Sequence, residues 1–328
     1  MKIKLENIGI IKKAEIIFDG LSVVAGENDT GKSTIGKILY ALIRTIRWSS
    51  SAGKSVKQTY MNTFNRYITK LFKNQISSDG VIVFEYMGSI FTFYLHNHRC
   101  TEIVLPDDFT NEEAKVFSPL FIDTPYIWNL LPSLKTMKTL EQHQEIGVDF
   151  EIFETFLDLY YALNTKLKDD NKIKIDIASI IDGNFQENEF GEFVFVKDKK
   201  NIELVNTAMG IKYFGTFDVL SSKNHLYTGQ ILILDEPEVH LHPKWQLKLA
   251  EVIVYLVVNG VKIFVNSHSP YMIEALQRYG KKMNIKQNFY LANDRKIIQD
   301  DASLSKIFAK LSEPFDTFDA MDREILHG

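Results

Sequence analysis

The chain has 328 residues, of which 45% are hydrophobic and 24% charged, and its net charge is −4. This composition is that of a globular protein with one large domain or two, and it argues against a surface dominated by nucleic-acid binding, although a local basic patch is compatible with it. The single cysteine, Cys100, excludes an intrachain disulfide. No stretch approaches the ~18 apolar residues of a membrane span and no signal sequence precedes the first charges, so we expect a cytoplasmic protein without a membrane partner.

The first predicted elements lead into a phosphate-binding loop. Residues 3–8 and 14–18 are predicted to be strands of a small antiparallel sheet, with Lys12 and Lys13 in the turn between them. The apolar run 21–25 and a helical pattern from residue 32 to about residue 44 then enclose GENDTGKST, a full match to G-x-x-x-x-G-K-[ST]. A strand, a loop and a helix in this order are the context that the motif requires.

In such a loop the backbone N–H groups surround phosphates, and the N-terminus of the following helix adds its positive dipole. We expect Lys32 to reach the β- and γ-phosphates of ATP and Ser33 to bind Mg²⁺. The predicted nucleotide-binding residues are Gly26, Glu27, Asn28, Asp29, Thr30, Gly31, Lys32, Ser33 and Thr34.

A long stretch without acidic residues follows. Between Thr30 and Ser78 all charged side chains are basic: Lys32, Lys37, Arg44, Arg47, Lys54, Lys57, Arg66, Lys70 and Lys73. Aromatic and aliphatic residues at 60, 64, 67 and 71 repeat at helical spacing, which predicts a stripe facing the core rather than a platform for stacking bases. The basic side chains fit a solvated face, a nucleic-acid backbone or an acidic partner, and the sequence leaves these alternatives open.

The middle of the chain is predicted to be a hairpin, a strand and then helices. Residues 80–86 and 90–95 indicate the hairpin, and an apolar run ends at Ile122, directly before Asp123. From residue 126 to about residue 181 the pattern is helical, with an apolar face around Phe156 and Tyr160 and with Asp158 on the opposite, polar face. This segment lacks the sustained heptads of a coiled-coil arm. A second hairpin is predicted over residues 190–205.

The segment 231–243 reads ILILDEPEVHLHP. Its four apolar residues predict a strand buried on both faces, and Asp235 and Glu236 stand at its C-terminal end, where open α/β sheets bind ligands. Burying two carboxylates side by side costs free energy unless a cation pairs with them or they take part in a reaction. We therefore expect Asp235 to bind the metal and Glu236 to orient or deprotonate a water.

The next predicted strand ends in Ser267, His268 and Ser269. A helix-length segment separates it from the paired acids, as in a parallel sheet. A histidine in this position is well placed to contact a γ-phosphate, so we predict His268 to be part of the catalytic site together with Glu236 and Lys32.

These three motifs resemble those of ABC-class ATPase heads of the SMC/RecF/OLD superfamily, and especially the bacterial phage-defence ATPases such as OLD and Septu. The resemblance covers roughly residues 1–45 and 205–275. It implies an α/β fold, an ABC-type P-loop NTPase head with an N-terminal antiparallel sheet and an inserted helical lobe. Residues 1–125 and 183–328 are then expected to form the nucleotide-binding lobe, and residues 126–182 the helical lobe.

The resemblance also implies further site residues. Such heads often place base-contacting residues where Lys12 and Lys13 lie, although an ordinary solvated turn fits equally well. They carry a glutamine that contacts Mg²⁺ and water at the entry to the helical lobe, where this chain has Asp123 as the available substitute. Their signature segment, which contacts the γ-phosphate of ATP bound to a second subunit, corresponds to residues 206–215. Gly210 matches it, but the usual serine is absent and Thr207 is the candidate hydroxyl.

The implied function is that of an Mg-ATP-binding ATPase that converts ATP and water to ADP and phosphate. It would form a homodimer or a higher oligomer around ATP and control a separate nuclease or toxin in anti-phage defence, with nucleic acid left open as a partner. A RecF-like DNA-repair ATPase is the alternative. An ABC transporter subunit is disfavoured by the missing glutamine and serine, and an AAA+ protein with Asn266 as phosphate sensor would leave His268 without a role.

The last segment follows Pro270 and is too short for the Toprim nuclease domain of OLD proteins. We therefore expect no nuclease site in this chain. Acidic and apolar residues alternate from residue 313 to residue 325, a pattern that fits either an amphipathic docking helix or a fraying tail.

Overall fold

A computed structural model of the chain describes residues 1–50, 56–76, 79–106, 118–131, 133, 154–168, 172–299 and 303–327. The strands are β1 (Lys2–Ile8), β2 (Ile11–Ile17), β3 (Leu21–Ala25), β4 (Asp79–Tyr86), β5 (Ser89–His96), β6 (Arg99–Val104), β7 (Leu120–Ile122), β8 (Asn184–Glu187), β9 (Phe193–Lys197), β10 (Lys200–Glu203), β11 (Ile231–Asp235), β12 (Lys262–Ser267), β13 (Gln287–Asn293) and β14 (Lys296–Ile298). The helices are α1 (Lys32–Ser50), α2 (Val56–Phe72), α3 (Glu154–Asn164), α4 (Ala178–Ile181), α5 (Met209–Ser222), α6 (Pro243–Val258), α7 (Pro270–Lys282) and α8 (Ser303–His327).

Most of the described strands form one large mixed sheet. Its order is β6-β5-β4-β1-β2-β14-β13-β3-β12-β11-β7. The half that contains β3, β12, β11 and β7 is parallel, whereas β6, β5, β4, β1 and β2 pair antiparallel. Strands β8, β9 and β10 form a small separate sheet. The predicted α/β class with an N-terminal antiparallel sheet is confirmed.

Two hydrophobic cores lie on the two faces of this sheet. Successive side chains of a strand point to opposite faces, so Val23 joins the core beneath α5, α6 and α7 while Val24 joins the core beneath α1 and α2. Both residues are fully buried. Burial on both faces explains the unbroken apolar runs of β3 and β11. Packing on both faces also holds in place the ends of these strands, which carry the residues of the candidate site.

The turn between β1 and β2 differs from the prediction. Ile8 and Ile11 pair directly and both are buried, so the turn consists of residues 9 and 10. Lys12 and Lys13 therefore lie within β2, as exposed residues, and not in the turn. The predicted hairpin of β4 and β5 is confirmed, as is the buried aromatic stripe of α2.

The helical prediction for residues 126–181 is correct only in part. The described portion contains α3 and α4, but residues 165–168 and 172–177 are not helical, and much of the remainder lies outside the described residues. Asp158 also faces inward instead of toward solvent, because Tyr40 and Arg44 of α1 bind its carboxylate. The division into a nucleotide-binding lobe and an inserted helical lobe stays a prediction.

None of the described helices is both long enough and apolar enough to cross a membrane.

Candidate nucleotide and metal site

The parallel half of the sheet brings the predicted site segments to one edge. Strands β3, β12, β11 and β7 are neighbours and run in the same direction. Their C-terminal ends are Ala25, Ser267, Asp235 and Ile122. The phosphate-binding loop (residues 26–31), His268, Glu236 and Asp123 follow these ends directly. Together with Asp235 they lie at the edge where open α/β sheets bind ligands.

The phosphate-binding loop has little room for side chains at its two glycines. Gly26 and Gly31 have φ angles of 156° and 91°. A Cβ atom on Gly26 would lie 2.6 Å from the carbonyl oxygen of Ala292, and one on Gly31 would lie 2.6 Å from the side chain of Ile11. The sequence therefore needs glycine at both positions, and the backbone stays accessible to a phosphate at the N-terminus of α1.

The remaining loop residues turn outward or back onto the loop. The side chains of Glu27, Asn28 and Asp29 are exposed, whereas Thr30 donates a hydrogen bond of 2.8 Å to the Glu27 carbonyl. The Glu27 carboxylate lies 3.3 Å from the ammonium group of Lys310 on α8. The C-terminal helix thus reaches the edge of the loop.

Lys32 is a buried cation among acids. Its ammonium group donates to the carbonyl of Glu27 and is almost fully shielded from solvent. Burial lowers the pKa of Lys32, and the charges of Glu236, Glu238, Asp235 and Glu27 oppose that shift. Among the described residues the ammonium group has one hydrogen-bond acceptor, this carbonyl, and a phosphate would supply another.

Ser33 and Asp235 form the predicted metal pair. The Ser33 hydroxyl donates to the Asp235 carboxylate over 3.0 Å. Burial raises the pKa of Asp235, while the neighbouring side chains of Asn266 and Ser33 act in the opposite direction. A hydroxyl and a carboxylate side by side are ligands that Mg²⁺ accepts when nucleotide and water complete its shell. The residues present fit magnesium.

Glu236 is held in an unusual backbone conformation. Its φ angle is 49°, in the left-handed region, and its N–H group donates to both the carbonyl and the side-chain oxygen of Asn266, at 3.1 and 2.8 Å. Strained residues persist where the surroundings determine them, and they cluster at functional sites. Asn266, the alternative phosphate sensor, is fully buried and binds Glu236.

A pocket of about 210 Å³ opens beside the acid pair. Asp123 lies in its wall, where burial and the charge of Asp235 raise the pKa of Asp123 to about 6. The structure therefore places Asp123 next to the metal pair, as the resemblance implies. The pocket is lined by Ser33, Asp123, Thr124, Pro125, Tyr213, Asp235, Glu236, Val239 and His240.

His268 stands between two carboxylates. Its Nδ1 atom lies 3.6 Å from the Oε1 atom of Glu236 and 3.4 Å from that of Glu238. Both distances exceed those of a strong hydrogen bond, and the ring is partly exposed at the edge of the site. The structure thus brings Lys32, Glu236 and His268 together, as predicted.

Glu238 is a residue that the sequence prediction missed. It is buried, and its Oε1 atom accepts hydrogen bonds from the Ser267 hydroxyl at 2.7 Å, the His268 N–H at 2.8 Å and the Ser269 N–H at 3.1 Å. The carboxylate therefore joins the segment after β11 to the end of β12. A third acid two positions after the pair, in an otherwise apolar turn, is the signal that could have indicated it.

The signature segment begins helix α5. Gly210 is buried, and a Cβ atom there would lie 2.9 Å from the ring of Trp245 on α6, so this glycine permits close packing of the two helices. Thr207 is also buried, and its hydroxyl donates to the carbonyl of Glu203. The N-cap residue, Ala208, is exposed and offers no side-chain cap to the first turn of α5. The contacts of Gly210 and Thr207 with a second subunit stay predictions.

Part of the basic stretch is neutralised within the chain. The Arg44 guanidinium lies 3.3 Å from the carboxylate of Asp158, and the Lys70 ammonium group lies 2.7 Å from that of Glu154. Both carboxylates belong to α3. Lys37 lies over the ring of Phe72, 5.9 Å from its centroid. The acidic residues missing from the stretch itself are therefore supplied in part by α3, which reduces the basic surface available to a partner.

Comparison with known proteins agrees with this geometry. The model of a family described as "AAA domain, putative AbiEii toxin, Type IV TA system" matches residues 94–274. The Septu protein PtuA of Bacillus thuringiensis is 22% identical over an alignment of 296 residues, and the alignment covers 84% of this chain and 72% of PtuA.

Two solved structures show the fold. An Smc head bound to the C-terminal winged-helix domain of ScpA has a TM-score of 0.52 and 14% identity, over 93% of this chain and 98% of that one. An Smc head with an extended coiled coil, bound to the C-terminal domain of ScpA derived from Pyrococcus furiosus, has a TM-score of 0.50 and 13% identity, over 95% and 98%. The family model matches more than half of the chain, so this protein belongs to that AAA-domain family of P-loop ATPases, with the fold of an SMC head.

Proposed function

We propose that the chain binds Mg-ATP, hydrolyses it to ADP and phosphate, and thereby controls a separate nuclease or toxin in anti-phage defence. The observation that carries the ATPase proposal is the 3.0 Å contact between Ser33 and Asp235 directly beside buried Lys32. The relation to the Septu protein PtuA supports the defence role.

The roles follow from the positions of the side chains. Lys32 and the N–H groups of the loop hold the phosphates, and Ser33 and Asp235 hold Mg²⁺, which neutralises phosphate charge when bound. Glu236 accepts a hydrogen bond from a water, orients the water toward the γ-phosphorus and takes its proton as ADP leaves. His268, 3.6 Å from Glu236, contacts the γ-phosphate.

Hydrolysis of this type depends on positioning and electrostatics. The proposed second subunit supplies the N-terminus of its α5, whose first-turn N–H groups have no side-chain cap. Helix N-termini attract anions. ATP would therefore be enclosed between two copies of the chain, and its hydrolysis would separate them and signal to the effector protein.

A test separates binding from hydrolysis. Glu236→Gln should bind ATP normally but release phosphate roughly 100-fold more slowly, or slower still, because general-base assistance is lost while the phosphate and metal contacts remain. Lys32→Ala should lose binding. Binding is measured with a fluorescent ATP analogue and hydrolysis by phosphate release.

Glu85→Gln, an exposed change on β4, is the matched control and should behave as wild type. Equal rates of phosphate release in wild type and Glu236→Gln would show that the role of Glu236 is misassigned. Wild-type protein that binds no ATP would contradict the proposed function as a whole.

A further inference from the structure

Tyr213 on α5 has a buried hydroxyl with no partner among the described residues. The side chain is 1% exposed, and its oxygen makes no hydrogen bond to them. Buried polar groups in folded proteins nearly always have a hydrogen-bond partner, and an exception indicates a water, an ion or a ligand. The described residues supply no partner for this hydroxyl, which therefore indicates a water, an ion or a ligand.

The surroundings of the hydroxyl show where that partner would lie. Tyr213 lines the pocket of about 210 Å³ that also contains Ser33, Asp123, Asp235 and Glu236. Burial raises the pKa of Tyr213 far above its ordinary value, and the nearby charges of Glu238, Asp123 and Asp235 raise it further. The phenol is thus a neutral O–H group that can donate to one partner and accept from another.

The pocket has the size and polarity that an ordered water requires. A water occupies about 30 Å³ in the liquid and needs two to four polar partners when buried. The carboxylates in the wall accept hydrogen bonds when ionised, and Tyr213 adds a donor that they lack. A water bridging Tyr213 and Asp123 would satisfy the Tyr213 hydroxyl, beside the Ser33–Asp235 pair.

We propose that Tyr213 is a positioning residue that, with Asp123, holds a water in this pocket next to the metal pair. This inference rests on the proposed function, because the water would be part of the environment that Mg-ATP enters. Tyr213 would act through the water, so its hydroxyl would affect magnesium affinity and turnover without contacting the nucleotide. Helix α5 would then contribute to the site of its own chain through Tyr213.

Tyr213→Phe tests the proposal, since it removes one oxygen and keeps the ring. The thermal midpoint without nucleotide should stay unchanged or rise, because no protein hydrogen bond is lost. ATP binding in EDTA should also be unchanged. The Mg²⁺ concentration for half-maximal hydrolysis should rise about five- to tenfold and turnover should fall about tenfold, as expected for a lost hydrogen bond in the site.

A second readout does not depend on turnover. Binding of Mn²⁺ to the protein with a non-hydrolysable ATP analogue, followed by electron paramagnetic resonance, should weaken by the same factor in Tyr213→Phe. Asp123→Asn should weaken it similarly, and the double variant should be no worse than either single variant, because both act through one water. Tyr86→Phe, at a buried tyrosine of β4, should match wild type.

Wild-type Mn²⁺ affinity and Mg²⁺ dependence in Tyr213→Phe would overturn the proposal. A fall in thermal midpoint with unchanged metal dependence would also overturn it, since that result would show a structural role only. Additive effects of the Tyr213 and Asp123 variants would contradict a shared water. In each case hydrolysis by wild type would leave the proposed ATPase function intact, so the two failures are distinguishable.

Discussion

Glu238 shows how a single buried charge organises the site. Its carboxylate is 3% exposed, and one oxygen receives three hydrogen bonds from consecutive residues at the end of β12. Hydrogen-bond donors offset the cost of burying a carboxylate away from water. The backbone of His268 is thereby fixed relative to Glu236, so the histidine is held at the edge of the site by a residue that does not face solvent.

Substitutions of Glu238 should therefore affect stability and catalysis to different extents. Glu238→Ala removes the acceptor of three donors, of which the Ser269 N–H keeps a second acceptor in the Ser267 hydroxyl at 3.1 Å, and it should lower the free energy of unfolding by about 3 kcal/mol. Glu238→Gln keeps an acceptor oxygen and should cost about 1 kcal/mol. ATP hydrolysis should fall about tenfold in Glu238→Ala, because His268 loses its fixed position, and should fall less in Glu238→Gln, which keeps the acceptor of the His268 N–H. Urea unfolding and phosphate release measure the two effects.

Glu236→Gln is the comparison, since the hydrogen bonds of Glu236 to Asn266 come from its main chain, and this variant should lose hydrolysis without loss of stability. A Glu238→Ala protein as stable as wild type would show that these three bonds contribute little.

The positions of Lys32, Ser33, Asp235 and Glu236 could be predicted from motifs. The phosphate-binding loop places the first two, and the end of β11 places the acid pair. Tyr213 could not be predicted in the same way. It lies within the segment 206–215 but matches none of the residues expected there, and whether a helical residue faces a pocket depends on the rotation of α5 against the sheet. That rotation is set by packing, as in the contact of Gly210 with Trp245.

At the level of elements, α1 and α3 are joined by a polar cluster. Asp158 of α3 accepts a 2.6 Å hydrogen bond from the Tyr40 hydroxyl and lies 3.3 Å from the Arg44 guanidinium. Both charged side chains are about 15% exposed. Burial raises the pKa of Asp158, while Arg44 and Tyr40 act in the opposite direction. The cluster connects the helix that starts at the metal pair to the segment predicted as the helical lobe.

Removing one member of this cluster should be strongly destabilising. Asp158→Ala leaves the Arg44 charge largely buried without its carboxylate and should lower the free energy of unfolding by about 3–5 kcal/mol. Glu154→Ala is the matched control on the same helix. Its partner, Lys70, is 46% exposed, so the loss of that pair should cost less than about 1 kcal/mol. Equal losses of unfolding free energy in Asp158→Ala and Glu154→Ala, measured with urea, would show that burial does not determine the cost.

The same cluster explains where prediction of elements failed. Unbroken apolar runs identified β3, β11 and β12, because a strand that is buried on both faces is apolar at successive positions. The polar face assigned to α3 was wrong, since periodicity alone treats Asp158 as a solvent-facing acid. Only the positions of Tyr40 and Arg44, more than a hundred residues earlier in the sequence, make an inward carboxylate favourable.

At the level of the whole molecule, the proposed ATP-dependent dimer requires the N-terminus of α5 to lie at the interface between the two copies. If the N-terminus of α5 contacts the γ-phosphate of ATP bound to a second copy, a negative charge at this N-terminus should repel the phosphate and prevent assembly. The N-cap position offers this test, because Ala208 is exposed and caps nothing. Aspartate is a better N-cap than alanine and its charge suits the helix dipole, so Ala208→Asp should stabilise the isolated chain by about 1 kcal/mol.

We therefore expect stability and assembly to change in opposite directions in this variant. In the Glu236→Gln background with Mg-ATP, light scattering should give twice the monomer mass of 37.8 kDa, and Ala208→Asp should return the mass to that of the monomer. Ala208→Ser, which caps the helix without adding charge, should preserve the dimer. Lys32→Ala should remain monomeric because it holds no nucleotide. If Ala208→Asp dimerises as readily as Ala208→Ser, the N-terminus of α5 does not face a phosphate, and the dimer would have to use another surface.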